Sequence, residues 1–179
     1  VGGEVDTFVT VTIPETETRA GGLNSALGAF DNVDLNGTNG TDYTVRYIFE
    51  VYYGNTGTQK QVYYTDGKNA SFPVRLVPGR HYNFVAWADI VEQPADNNKM
   101  NKALPYEDTD VYYETSDLTK ITIIDSEWVA MDEKRDAFTG HFDTAVDGDK
   151  STYNGAKSIN IKLTRPFAKL RIITTDMEQ

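Results

Sequence analysis

Two histidines and no cysteine define the chemistry open to this chain. A side chain that moves protons near neutral pH is most cheaply a histidine. His81 follows Pro78-Gly79-Arg80 and His141 sits between Gly140 and Phe142, far apart in sequence and with nothing nearby to pair either with a nucleophile. The absence of cysteine rules out thiol nucleophiles, disulfides and thiolate-held metals, and no G-x-S-x-G turn presents a serine. Carboxylate pairs could run glycoside hydrolysis, but 27 acidic residues offer many such pairs and the sequence singles out none. The stretch "DTAVDGDK" (Asp143, Asp147, Asp149) has a faint calcium-loop look. An EF-hand needs oxygen ligands at its first, third and fifth positions and a glutamate at its twelfth. Ala145 and Asn154 occupy the third and twelfth places, so the stretch reads as a solvated acidic turn. The expectation is no enzyme, no cofactor and no resident metal.

The tyrosine pairs Tyr52-Tyr53, Tyr63-Tyr64 and Tyr112-Tyr113 offer a different chemistry. Neighbours on a strand point to opposite faces, so one of each pair is expected to be exposed, as a platform for stacking sugars or as a by-product of β propensity. Trp87 and Trp128 are expected in the core.

These residues must be positioned by strands. "EVDTFVTVTIPE" places Val5, Thr7, Val9, Val11 and Ile13 on one face, and Pro14 stops the run. "ETETRAGG" is polar and without period, an exposed linker with Arg19 at its middle. "LNSALGAF" has Leu23, Leu27 and Phe30 at helical spacing, a short turn weakened by Gly28. "YTVRYIFEVYY" is the longest alternation and predicts a central strand. "KQVYYT" and "ASFPVRLV" follow through short turns, the second marked by Asp66-Gly67, and a meander is the economical arrangement. "HYNFVAWAD" is apolar on both faces, which predicts burial on two sides.

Residues 92–110 read as a long polar excursion outside the core, "KITIID" as a short strand, "FTGHF" as extended, and "KSINIKLT" as a strand turning Ile159, Ile161 and Leu163 inward. Arg165-Pro166 bends the chain into a last strand, "FAKLRIITTD". Seven to nine short strands, a long polar loop and little helix predict an antiparallel β-sandwich of the transthyretin-like or Greek-key type. Residues 1–14 form the first strand, 15–22 a linker and 23–179 the remainder of a single domain.

A net charge of −10 argues against nucleic acid and anionic membrane surfaces as partners. A chain that opens on Val1 suggests a mature or trimmed product.

At "VRLVPGRHYNFVAWAD", "AMDEKRDAFTGHFDT" and "INIKLTRPFAKLRIITTD", with further likeness at "GGLNSALGAFDNVDL" and "VRYIFEVYY", the chain resembles the fimbrillin-like cell adhesion proteins of Gram-negative gut and oral anaerobes. The resemblance implies an exported outer-membrane lipoprotein, anchored through a cysteine upstream of Val1, with two β-sandwich domains. This chain is then the first, and a second follows residue 179. It further implies a subunit of surface fimbriae. A trypsin-like cut between Arg19 and Ala20 frees the first strand, carrying Val5, Val9, Val11 and Ile13, and the vacated groove accepts a strand from another subunit. The host or bacterial ligand is not given by the resemblance. The alternative from a different class is a cell-surface glycan-binding β-sandwich module.

Overall fold

The computed structural model describes residues 3–13, 43–65, 67–92, 110–124, 133–143 and 152–166. Nine strands appear there: β1 (Val5–Thr12), β2 (Tyr43–Tyr53), β3 (Thr56–Thr65), β4 (Asn69–Leu76), β5 (Asn83–Glu92), β6 (Tyr113–Glu114), β7 (Thr122–Ile123), β8 (Ala137–Asp143) and β9 (Ser158–Lys162), with one 3-10 turn at Glu133–Arg135. A three-stranded sheet of order β4-β1-β9 faces a four-stranded sheet of order β3-β2-β5-β8. We call these sheets A and B. The protein is a mainly β sandwich, antiparallel throughout except for the β1–β9 pair, which is parallel.

The alternation in each strand decides what it covers. Val9, Val11 and Ile13 from β1, Ala70, Phe72, Val74 and Leu76 from β4, and Ile159, Ile161 and Leu163 from β9 and its extension turn inward. They meet Val45, Tyr47, Phe49 and Val51 of β2 and Phe84, Ala86, Ala88 and Ile90 of β5. Phe49 lies near the middle of this layer, stacked 5.2 Å from Phe72 and 5.9 Å from Phe84 between ring centroids. Tyr47 is fully buried there and donates its hydroxyl to the Gly67 carbonyl at 2.8 Å; burial pushes its pKa well above the usual tyrosine value.

The expected meander does not form. β2 and β3 make a hairpin, but β4 leaves for sheet A and β5 returns to pair with β2. The chain therefore crosses between sheets before β4 and makes no hairpin there, because the Lys68 carbonyl accepts from Ile13 N–H at 2.8 Å and β4 aligns on β1 from Val5↔Leu76 to Thr12↔Asn69. The four apolar side chains of β4 fall on one face only, which fits the half-covered sheet A. β2 and β5, by contrast, are the inner strands of sheet B and are largely buried on both faces, as the composition of β5 predicts and the alternation of β2 does not.

That second burial comes from a third layer. Residues 110–124, with the small β6–β7 ladder, cover part of the outer face of sheet B. Ile48, Val62, Tyr64, Trp87, Val91, Tyr113, Leu118 and Ala137 form this second core. Trp87 is core as expected, with its ring edge-on to Tyr113 at 5.1 Å. Its Nε1 finds no partner among the described residues.

Asp110 corrects the reading of residues 92–110 as polar excursion alone. Its carboxylate accepts from Arg46 Nη1 at 2.6 Å and from Thr115 N and Oγ1 at 2.8 and 2.7 Å, so it pins the third layer to sheet B.

Both open sides of the sandwich are closed. Thr139 and Thr164 exchange two backbone hydrogen bonds of 2.8 Å between β8 and the end of β9. Gly140 permits the approach, since a Cβ there would lie 2.6 Å from Leu163 Cδ2 and 2.8 Å from Ile161 Cγ2. On the other side, Gln61 Nε2 donates to the Pro73 carbonyl at 2.7 Å, and Gln59 both donates to the Arg75 carbonyl and accepts its N–H, at 3.0 and 3.2 Å. These two glutamines occupy the free edge of β4, where Pro73 also has no N–H to offer a neighbour.

The helical turn expected at 23–30, Trp128, and the strand expected after residue 166 lie outside the described residues.

Candidate functional site

The first strand is the element on which the sequence reading turns. β1 is the middle strand of sheet A, antiparallel to β4 on one side and parallel to β9 on the other. Val9, Val11 and Ile13 are at most 1% exposed, Val5 is half-buried at the end, and Phe8 on the opposite face is 55% exposed. A strand of period two facing one core must divide in this way.

One inward residue of β1 is polar. Thr7 is buried, and its hydroxyl donates to Tyr153 Oη at 2.6 Å, with the Ala156 carbonyl 3.1 Å away. Tyr153 Oη in turn donates to that carbonyl at 2.6 Å. A buried hydroxyl is tolerated only where such partners exist. The slot of β1 thus has three apolar pockets and one hydroxyl-lined pocket. Phe8 N–H donates to the Lys157 carbonyl and Leu163 N–H to the Thr12 carbonyl, at 3.0 and 2.9 Å, which ties both ends of the strand to β9 and its flanks. Taking β1 away leaves β4 and β9 unpaired along facing edges. Arg19 and Ala20, the processing pair, lie outside the described residues.

A second feature lies on the outer face of sheet B. Strand register sets its side chains in rows: Arg46 and Asp89 with Ala137; Ile48 and Trp87 with Thr139; Glu50 and Val85 with His141; Tyr52 and Asn83 with Asp143. The third layer covers the first row and, except for Thr139, the second. At the start of the covered half, Arg46 is fully buried and grips Asp89 with two hydrogen bonds, Nε to Oδ1 at 2.9 Å and Nη2 to Oδ2 at 2.7 Å. Burial works to lower the pKa of this guanidinium, but Asp89 and Asp110 outweigh it and push the value up. Its role is structural: it is sealed from solvent and its charge is matched by two carboxylates.

Tyr52, Asn83, Val85, Thr139 and His141 line a cleft of about 660 Å³, bounded by the Gly54-Asn55 turn and by Asp117, Leu118 and Thr119 of the third layer. Tyr52 Oη donates to Glu50 Oε2 at 2.8 Å; burial first and Glu50 second raise its pKa. Asp117 Oδ1 accepts from Thr119 N and Oγ1 at 2.9 and 2.6 Å, and these bonds hold its carboxyl below the usual range.

His81 Nε2 lies 2.7 Å from Asp143 Oδ1 near the surface, and His141 is exposed on β8. Among the described residues no group of three or more His, Asp or Glu could hold a metal ion, and Asp147 and Asp149 lie outside them. The tyrosine pairs do split between faces, but not into the expected exposed row: only Tyr53 is exposed, Tyr52, Tyr63 and Tyr112 are half-buried, and Tyr64 and Tyr113 are core. Sequence reasoning missed Asp110 and the Arg46–Asp89 pair. The available signal was an arginine and an aspartate in the middle of strands rich in apolar residues.

Fold and site together define a three-layer β-sandwich domain with a central N-terminal strand. The chain belongs to DUF6562, a family of unknown function, whose profile matches residues 2–179. No curated protein and no solved structure matches it.

Proposed function

We propose that the protein is a non-enzymatic structural or adhesive subunit of cell-surface fimbriae, assembling by exchange of its first strand. One juxtaposition supports the reading: β1 is the first strand in sequence yet the middle strand of sheet A, paired on both sides. The likeness to fimbrillin-like adhesins adds the processing step at Arg19-Ala20, an exported lipid-anchored precursor at the outer membrane, and a second domain after residue 179.

The energetics require replacement and not mere loss. Three fully buried aliphatic side chains are worth roughly 5–9 kcal/mol together, on the order of the whole stability of a domain. A sandwich with an empty slot is therefore unstable unless another strand enters. A donor from a neighbouring subunit restores the ladders to β4 and β9 through its backbone. It gains specificity by placing aliphatic residues in the pockets of Val9, Val11 and Ile13 and a hydroxyl beside Tyr153.

Limited trypsin digestion of the folded chain should cut at Arg19 before Arg46, Arg75 or Arg80, which lie in strands or beside a tight turn. A fluorescent peptide copying residues 1–14 should then enter the cut protein and co-elute with it, and the same peptide carrying Ile13→Asp should not. Cutting elsewhere first, or cut protein that never takes up the peptide, sinks the proposal.

A further inference from the structure

The open half of the outer face of sheet B has a composition that neither strand exchange nor packing explains. Its floor is Val85 and the ring of Tyr52, with the buried Leu118 at one wall. Around this apolar patch stand Asn55, Asn83, Asp117 and His141. The side chains of Asn55, Asn83 and His141 make no hydrogen bond among the described residues, and Asp117 Oδ2 makes none either. Thr119 holds the Asp117 carboxylate in place through its other oxygen. Three strands, a turn and a loop from distant parts of the sequence thus bring two amides, a carboxylate and an imidazole to one side of a small apolar surface.

We infer that this cleft is a binding site for a neutral carbohydrate. A sugar ring has two kinds of surface, an edge of hydroxyls that both donate and accept, and a face of C–H groups. Planar amides and a carboxylate satisfy adjacent hydroxyls, and an aromatic ring or aliphatic patch covers the C–H face. The cleft supplies both. Its polar rim is too extensive for a lipid tail, and the protein's net charge of −10, with Asp117 at the wall, disfavours phosphates and acidic sugars. Its volume falls within the range of small-ligand sites and suits about one or two sugar rings. The site is separate from the β1 slot, so the inference stands or falls independently of strand exchange.

The test is amide NMR of the isotopically labelled chain titrated with methyl glycosides of glucose, galactose, mannose, fucose and N-acetylglucosamine. At least one should shift the signals of Asn55, Asn83 and Leu118 with a dissociation constant in roughly the millimolar range. Asn83→Ala should weaken it about five- to tenfold through the lost hydrogen bond. His141→Ala, at an exposed position that does not threaten folding, should weaken it as well. Phe8→Ala, on the far sheet, should leave it unchanged. The inference is overturned if no glycoside moves a cleft signal, or if the shifts gather around Phe8. It is also overturned if both cleft variants bind as the wild type does, or if lysine methyl ester binds there in place of the sugars and is lost in Asp117→Asn.

Discussion

Arg46 shows how one side chain can hold a layer in place. Its guanidinium bridges Asp89 on the neighbouring strand and Asp110 at the start of the third layer; Arg46 and Asp89 are sealed from water and Asp110 nearly so. Such an arrangement adds little net stability over a well-packed apolar substitute, but removing one partner strands the others. Arg46→Met should therefore cost about 3–5 kcal/mol in denaturant unfolding, because two buried carboxylates lose their counter-charge. Adding Asp89→Leu should recover part of that loss, because Asp110 keeps its hydrogen bonds from Thr115. If the single variant unfolds at the wild-type denaturant concentration, the cluster is not the anchor described here.

At the scale of the element, β1 carries two faces with opposite consequences. Ile13, just past the end of β1, packs inside the sandwich and Phe8 projects from sheet A, although the two are only five positions apart. Ile13→Ala should destabilise by about 2–5 kcal/mol through lost burial and the cavity left behind. Phe8→Ala should fall within about 0.5 kcal/mol of wild type, as substitutions on exposed surface do. Thermal melts of the two variants decide it, and equal shifts would mean that β1 is not seated by its inner face. The same two-faced design lets a strand be exchanged: the ladder and the inner side chains carry the binding, while the outer face is free to vary.

The whole molecule should lose stability in alkali, with the third layer as the sensitive region. Tyr113 is buried against Trp87 and donates to the Arg135 carbonyl, and burial first, then the charges of Asp89 and Asp136, raise its pKa from 10.0 to about 12. A group whose folded pKa exceeds its unfolded value contributes stability that is fully present below the unfolded pKa and is lost as pH rises toward the folded one. The window is therefore pH 10 to about 12. Tyr47 and Tyr52, raised in the same direction, add to it. Across that window the wild type should lose about 2–3 kcal/mol relative to Tyr113→Phe. A stability difference between the two that stays constant with pH would show that Tyr113 titrates alike in both states.

By itself the sequence determined the strands and their inward faces, because alternation is a local property: Val9, Val11 and Ile13, Phe72 and Val74, and Ile159 and Ile161 all turn where their period points. It also determined that β5 is covered twice, since it is apolar on both sides, whereas the second face of β2, with Arg46 and Glu50, gave no such signal. Which strand lies beside which was decided only by the tertiary structure. The turn residues around Gly67 are compatible with a hairpin, and it is the fit of β4 against β1, with Lys68 held by Ile13, that carries the chain across to sheet A. The middle position of β1, the burial of Arg46 between two carboxylates, and the meeting of Asn83 with His141 and Asp117 depend on pairings between residues remote in the chain. No local pattern encodes such pairings, because each is the joint outcome of many side chains competing for the same core.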